Sequence, residues 1–258
     1  MEENRKIGIL DGFWLKVIML ILMTLDHLYY GLFPDTLGWA HIAARVVAPV
    51  FAYLIAEGLV YTRSRKKYIL RITLFGVIMF AGNVLLYGIY GRWIDNSILL
   101  ALAIGAGMVA AIECSKRAQS LPRHLLWIFL ALALFSASMA SDWVYTWLYE
   151  QGRSIGVWVQ MIRVEGGNMI PLMILIFYYL RRHPVIMWLV FAVVLCTPYL
   201  AMYLSTGYLQ EQIWMIFSFV PIALYNGRRG IRNQFTKYLF YLYYPLHIWI
   251  IYLIEQSL

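Results

Sequence analysis

Nine apolar stretches, separated by short polar loops, leave this chain few ways to fold. They run roughly over residues 12–33, 43–61, 68–89, 96–114, 124–141, 167–180, 184–204, 211–226 and 236–255. About 20 apolar residues in a helix cross the ~30 Å hydrocarbon core of a bilayer, and most of these stretches approach that length. Lipid offers an open backbone no hydrogen-bond partners, so such stretches form helices. Composition agrees, with 62% hydrophobic and only 13% charged residues, too little charge to cover a soluble domain. The sequence predicts an all-α polytopic integral membrane protein. It forms a single domain over residues 1–258, built as a bundle of about nine transmembrane helices.

The formal charge of +8 does not point to nucleic acid, because the basic residues gather in alternate loops. Arg63, Arg65, Lys66, Lys67 and Arg71 form one such group, and Arg228, Arg229, Arg232 and Lys237 another. The opposite loops hold only Arg92, Arg153 and Arg163. Lysine and arginine stay on the cytoplasmic side, where anionic lipid headgroups attract them. The N-terminus is therefore cytoplasmic, and the localisation is a bacterial cytoplasmic membrane with lipids as partners. The first apolar run is too long for a signal-peptide core and reads as a retained helix. Cys114 and Cys196 have no metal or disulfide spacing and read as small buried hydrophobes. No phosphate-binding loop, HExxH, GxSxG or Cys/His metal pattern occurs, so no metal is expected.

Small residues recur every fourth position at Ala44, Ala48, Ala52 and Ala56, and at Ala101 and Gly105. That spacing lets membrane helices approach closely. The stretch Ser141 to Gly166 mixes tryptophan, tyrosine and charge. It reads as an interfacial or re-entrant segment at the outer surface.

Ionisable residues inside the spans carry the functional reading, since they are expensive to hold in lipid. Asp26 and His27 are adjacent near the outer end of the first span, and Arg45 lies near the outer start of the second. Successive helical residues point about 100° apart, so Asp26 and His27 cannot aim at one ligand together. An Asp26–Arg45 ion pair that leaves His27 free is one arrangement; a purely structural polar cluster is the other. In the last span Tyr243 and Tyr244 stand four and three residues before His247 and flank its imidazole. Pro245 removes the donor to the carbonyl of Tyr241, which favours a kink beside protein or a wet cavity. Glu57 near the inner end of span two needs a partner, which Lys67 or Arg71 could supply. Asp95 and Asn96 read as helix caps, and Asp142 is a supporting candidate at the depth of His27.

Several blocks resemble the TraX family. They are Asp11-Gly12-Phe-Trp-Leu-Lys16, Met-Thr-Leu-Asp26-His27 and the run from Arg45 through Pro49 and Phe51 to Glu57-Gly58. Thr62-Arg63-Ser-Arg65-Lys-Lys67-Tyr68 to Arg71 and Lys237-Tyr238 to Tyr244-Pro245-Leu-His247 complete them. The match runs from end to end and is densest in the first seventy residues. The family is similar to transmembrane acyltransferases and is known for acetylating a pilin N-terminal amine. The resemblance implies acetyl-CoA as donor substrate, bound from the cytoplasm near Glu57, Arg63, Lys67 and Arg71. It implies His27 as base, with Asp26 and Arg45 in support, and a peptide or pilin-like acceptor.

The expectation is an acyl-CoA-dependent acetyltransferase acting on an amine or hydroxyl. His27 takes the acceptor proton, Arg45 or Tyr244 holds the oxyanion, and His247 can stand in as base. The rival is a proton-coupled transporter with a relay through Asp26, His27, Glu57 and His247.

Overall fold

The computed structural model describes residues 8–92, 94, 98–151, 166–231 and 233–258. Asp95, Asn96, residues 152–165 and the side chain of Asp142 lie outside the described residues. Among those described, the helices in chain order are α1 (Gly12–Gly31), α2 (Gly38–Ala44), α3 (Val47–Tyr61), α4 (Arg65–Tyr90) and α5 (Ile98–Lys116). Then come α6 (Leu121–Glu150), α7 (Met169–Leu180), α8 (Pro184–Thr206), a 3-10 segment (Glu211–Ser218), α9 (Phe219–Ala223) and α10 (Gln234–Ser257). Among the described residues, six helical stretches are long and apolar enough to cross a bilayer: α1, the α2–α3 pair, α4, α5, the first 21 residues of α6, and α8. The chain is a multi-pass membrane protein, as expected.

Three spans differ from the sequence reading, each for a physical reason. The second is two helices, because Pro49 stands in the first turn of α3 and its ring meets the carbonyl of Arg45, four residues earlier. The helix breaks there, with Arg45 at the C-cap of α2. The stretch 211–226 is no membrane helix but the 3-10 segment followed by the five residues of α9. Pro221 has the same effect on the carbonyl of Phe217. The fifth span continues without interruption to Glu150, so the first ten residues of the expected interfacial segment belong to α6.

The chain divides into two compact units. The first comprises Met1–Leu54 and His183–Leu258. Here α1 packs against α2 and α10, and the 3-10 segment packs against α8 and α2. Asp11 caps α1, accepting from the amides of Phe13 and Trp14 at 3.0 Å. The stretch before α10 ties onto this start: the Gly12 amide donates to Arg228 O at 2.7 Å and the Leu10 amide to Leu224 O at 2.9 Å. Gly230 completes the tie, since its φ is +69° and a Cβ there would lie 2.4 Å from Asp11 Oδ1. An Asn233–Thr236 capping box then starts α10.

The second unit is Ile55–Arg182. Its centre is α5, the most buried of the six spans, packed against α4, α6 and α7. Gly105 makes the α5–α7 approach possible, because a Cβ would sit 2.7 Å from Ile174 Cδ1 and 2.9 Å from Pro171 Cα. This is the work expected of the small-residue spacing.

Candidate functional site

The adjacent residues Asp26 and His27 serve two separate networks on two faces of α1, both within the first unit. On one face Asp26 Oδ2 pairs with Arg45 Nη2 at 2.6 Å. The expected ion pair therefore forms. Its surroundings were not expected. His41, only 4% exposed, puts Nδ1 2.5 Å from Asp26 Oδ1 and Nε2 2.5 Å from Glu211 Oε2. Arg45 also donates from Nη1 to Gln212 Oε1 at 3.1 Å and from Nε to the carbonyl of His41 at 3.1 Å. Tyr29 stacks on the His41 ring at 4.6 Å between centroids and 18° between planes, and Tyr30 meets it edge-on at 4.9 Å. Two bases thus face two carboxylates, and each buried charge has hydrogen-bonded partners, which is the condition for holding charges out of water.

Sequence reasoning missed His41, Glu211 and Gln212. The signal for His41 was its position four residues before Arg45, which puts both on one helix face. No local signal marked Glu211, whose place at the start of the 3-10 segment depends on the fold. Arg45 is engaged on three sides. Its guanidinium clamps α2 to α1 and to the 3-10 segment, so it suits oxyanion stabilisation less than expected.

On the other face His27 is not left free. Its Nδ1 lies 3.0 Å from Nε2 of His247, and the ring centroids are 5.0 Å apart. The partner nitrogen, His247 Nδ1, lies 2.7 Å from the carbonyl of Tyr243. A carbonyl only accepts, so His247 carries its proton on Nδ1. In the neutral ring Nε2 then holds a lone pair, and His27 Nδ1 must donate to it. That leaves the lone pair of neutral His27 on Nε2. Two backbone and ring contacts therefore set the tautomer of both histidines.

The plane of His247 is held by Tyr243, stacked on it at 5.0 Å and 15°. The Tyr243 hydroxyl donates to Thr24 Oγ1 at 2.7 Å, and Thr24 in turn donates to the carbonyl of Leu20 at 2.8 Å. Tyr244, 6% exposed, meets His247 edge-on at 5.9 Å. The structure thus gathers His27, His247 and Tyr244 in one cluster, and Asp26 and Arg45 in another. An open, apolar groove of about 500 Å³ runs along one face of α10 from Gln234 past Tyr238, Leu242, Leu246 and His247 to Ile250.

The residues expected on the donor side all belong to the second unit. Arg63 and Lys67 are exposed, and Glu57 and Arg71 are half-buried. The network that dominates this end of the unit is centred on Glu113, which sequence reasoning passed over. Glu113 Oε1 accepts from Lys116 Nζ at 3.0 Å and from the Tyr179 hydroxyl at 3.1 Å. Arg65 lies 3.8 Å from Oε2 of Glu113 and donates to the Tyr178 hydroxyl at 2.8 Å and to Leu59 O at 3.1 Å. The network joins the α3–α4 loop to the ends of α5 and α7.

Comparison with known proteins accounts for nearly the whole chain. No solved structure matches it. A protein of Dichelobacter nodosus described as probable fimbrial assembly protein FimC, serogroup H1, is 27% identical over 265 residues, covering 92% of this chain and 93% of the relative. The family model described as TraX protein matches residues 12–149 and 154–255, through α1 with Asp26 and His27, the α2 clamp and α10 with His247, and the chain belongs to the TraX family.

Proposed function

We propose that the protein is a membrane-embedded acetyltransferase that moves an acetyl group from acetyl-CoA to the N-terminal amine of a pilin-like peptide. The observation that carries this reading is the His27–His247 pair. A half-buried imidazole in a membrane span, its lone pair directed to Nε2 by a second, backbone-anchored imidazole, suits general-base work. An α-amino group has an ordinary pKa of about 7.7–8.0 and reaches the site mostly as ammonium, so one proton leaves to solvent first. The neutral amine attacks the thioester carbonyl and the C–N bond forms. His27 Nε2 takes the second amine proton, the C–S bond breaks, and the proton passes to the leaving thiolate. Tyr244, on the edge of His247, is the donor this reading assigns to the transient oxyanion. The name of the Dichelobacter relative, a fimbrial assembly protein, supports a pilin-like acceptor.

The test is acetyl transfer by purified protein to a peptide with a free N-terminus. His27→Ala should lower turnover by about 10²–10⁴, the range for loss of a general base, with protein level unchanged. Full turnover in that variant rejects the mechanism.

A second reading, a proton-coupled transporter, has its own observation. Glu211, 44% exposed at the side chain, connects through buried His41 to Asp26 by two 2.5 Å contacts, a chain able to pass a proton inward. CoA separates the two readings. A ligand at 100 times its Kd stabilises its protein by about 2.7 kcal/mol, so a donor-binding enzyme shows a higher Tm with CoA. A transporter of this kind shows none.

A further inference from the structure

We propose that the contact between Glu211 and His41 is a proton-held latch. It fastens the 3-10 segment to α2 while the two residues share a proton, and it frees the segment when the water outside turns alkaline. The latch stands whichever of the two functions above the protein has.

The first argument is a proton count. His41 sets Nδ1 2.5 Å from Asp26 Oδ1 and Nε2 2.5 Å from Glu211 Oε2. An ionised carboxylate only accepts, and a neutral imidazole donates from one nitrogen alone. Two such contacts need two protons, one more than a neutral ring between two carboxylates carries. Among the described residues, charged or titratable groups meet His41 from three elements: Asp26, Tyr29 and Tyr30 of α1, Arg45 of α2 itself, and Glu211 of the 3-10 segment. Arg45 Nη2 lies 3.2 Å from Nδ1, and the Tyr30 hydroxyl 3.3 Å from Nε2. Donation from either to the ring would still leave a carboxylate facing a lone pair at 2.5 Å. With the extra proton in place, Asp26 and Glu211 balance His41 and Arg45 charge for charge.

The second argument is which contact fails when that proton leaves. Asp26 is 16% exposed and keeps Arg45 at 2.6 Å, so the remaining ring proton stays on Nδ1, facing Asp26. Nε2 then turns a lone pair on Glu211, and two acceptors cannot stay in contact. Glu211 is 44% exposed and water can solvate it, so Glu211 is the side that moves. The preceding helix, α8, starts beside Arg181 and Arg182 and is long enough to cross the bilayer. The positive-inside distribution therefore places Glu211 at the outer surface.

The third argument is that the segment is poised to move. A 3-10 run rarely exceeds about four residues, because its hydrogen bonds are poorly aligned. This one has 8. Its side-chain ties to α2 stand at its start, Glu211 on His41 and Gln212 on Arg45 at 3.1 Å. At its other end the Ser218 hydroxyl is fully buried without a hydrogen-bond partner. α-Helical geometry would give that hydroxyl the carbonyl of Trp214, four residues earlier. It would also shorten the 8 residues by about 4 Å, from ~2.0 to ~1.5 Å of rise each. Strain and an unmet hydroxyl at one end are thus held by a titratable contact at the other.

The experiment measures spin-label distances by pulsed EPR on full-length protein in lipid nanodiscs, with Cys114→Ser and Cys196→Ser. The labels sit on Ile18→Cys in α1 and on Leu209→Cys just before the segment, both exposed. The distance is followed from about pH 5 to about pH 10, a range that spans imidazole titration. The expected result is a change of about 4 Å as the pH rises, the contraction of the freed segment. Glu211→Gln should remove the change, because an amide both donates and accepts and meets Nε2 in either protonation state. Glu211→Ala should give the high-pH distance throughout. If Glu211→Ala fails to fold, the parent and Glu211→Gln decide the matter. A parent distance that does not move with pH overturns the latch. So does an equal shift in Glu211→Gln, which would assign the motion to another group.

Discussion

The two units hold charge in different ways. In the second unit one carboxylate, Glu113, gathers a lysine, an arginine and a phenol where helices end. Lys116 is more than half exposed there, and Arg65 and Lys116 also lie over the rings of Tyr178 and Tyr179, respectively. The first unit holds its charges inside a span. Asp26 is 16% exposed, Arg45 11% and His41 5% at the side chain. Charges at helix ends reach water by extending long side chains and need little else. Charges within a span need complete hydrogen bonding, and α1 achieves it by giving each of two neighbouring residues its own face. The difference teaches that the Glu113 network fastens loops, whereas the α1 networks fix geometry.

The sharpest way to break the comparison is to remove one member of each network. Arg45→Ala leaves Asp26 and His41 without their clamp and should cost about 3–5 kcal/mol, the usual loss when a buried pair loses one partner; chemical denaturation in mixed micelles measures it. Replacing Asp26 and Arg45 together by apolar residues should restore part of the loss, because no orphan charge remains. His247→Gln keeps a polar group but loses the tautomer control over His27. It should lower kcat about 10–100-fold, or roughly 1.4–2.7 kcal/mol in the barrier, with KM for acetyl-CoA nearly unchanged. An equal effect on kcat and on thermal stability would instead make His247 a structural residue. The smallest effect belongs to Glu113→Gln, which removes one partly exposed charge and should cost about 1 kcal/mol or less without changing acetyl transfer. If Glu113→Gln abolishes turnover, the division of labour between the units is wrong.

Much of this was legible in the residues. The Asp26–Arg45 pair followed from depth and from helical geometry, because one short loop leaves two neighbouring spans little choice. The tyrosines beside His247 followed from their spacing. Pro49 and Pro221 were visible as residues, yet their effect on the carbonyls four positions upstream was not drawn from the pattern of apolar runs. Glu211 and Gln212 were hidden because hydropathy registers the apolar content of 211–226 and not whether it closes a regular helix. His41 was passed over for a similar reason, as part of a loop that proved to be α2.

The sequence by itself determined the helical membrane class, the family and the adjacency of an acid and an imidazole in the first span. Apolar run length and basic-loop alternation are local properties, and lipid leaves the backbone few alternatives. Only the tertiary structure decided the partners: His27 with His247, and Asp26 with Arg45, His41 and, through it, Glu211. These contacts join residues separated by up to 220 positions in the chain, and no local pattern encodes which face of α1 meets α2 and which meets α10. The physical reason is that hydrogen bonds between spans are set by helix rotation and break geometry, both of which packing fixes only once the neighbours are in place.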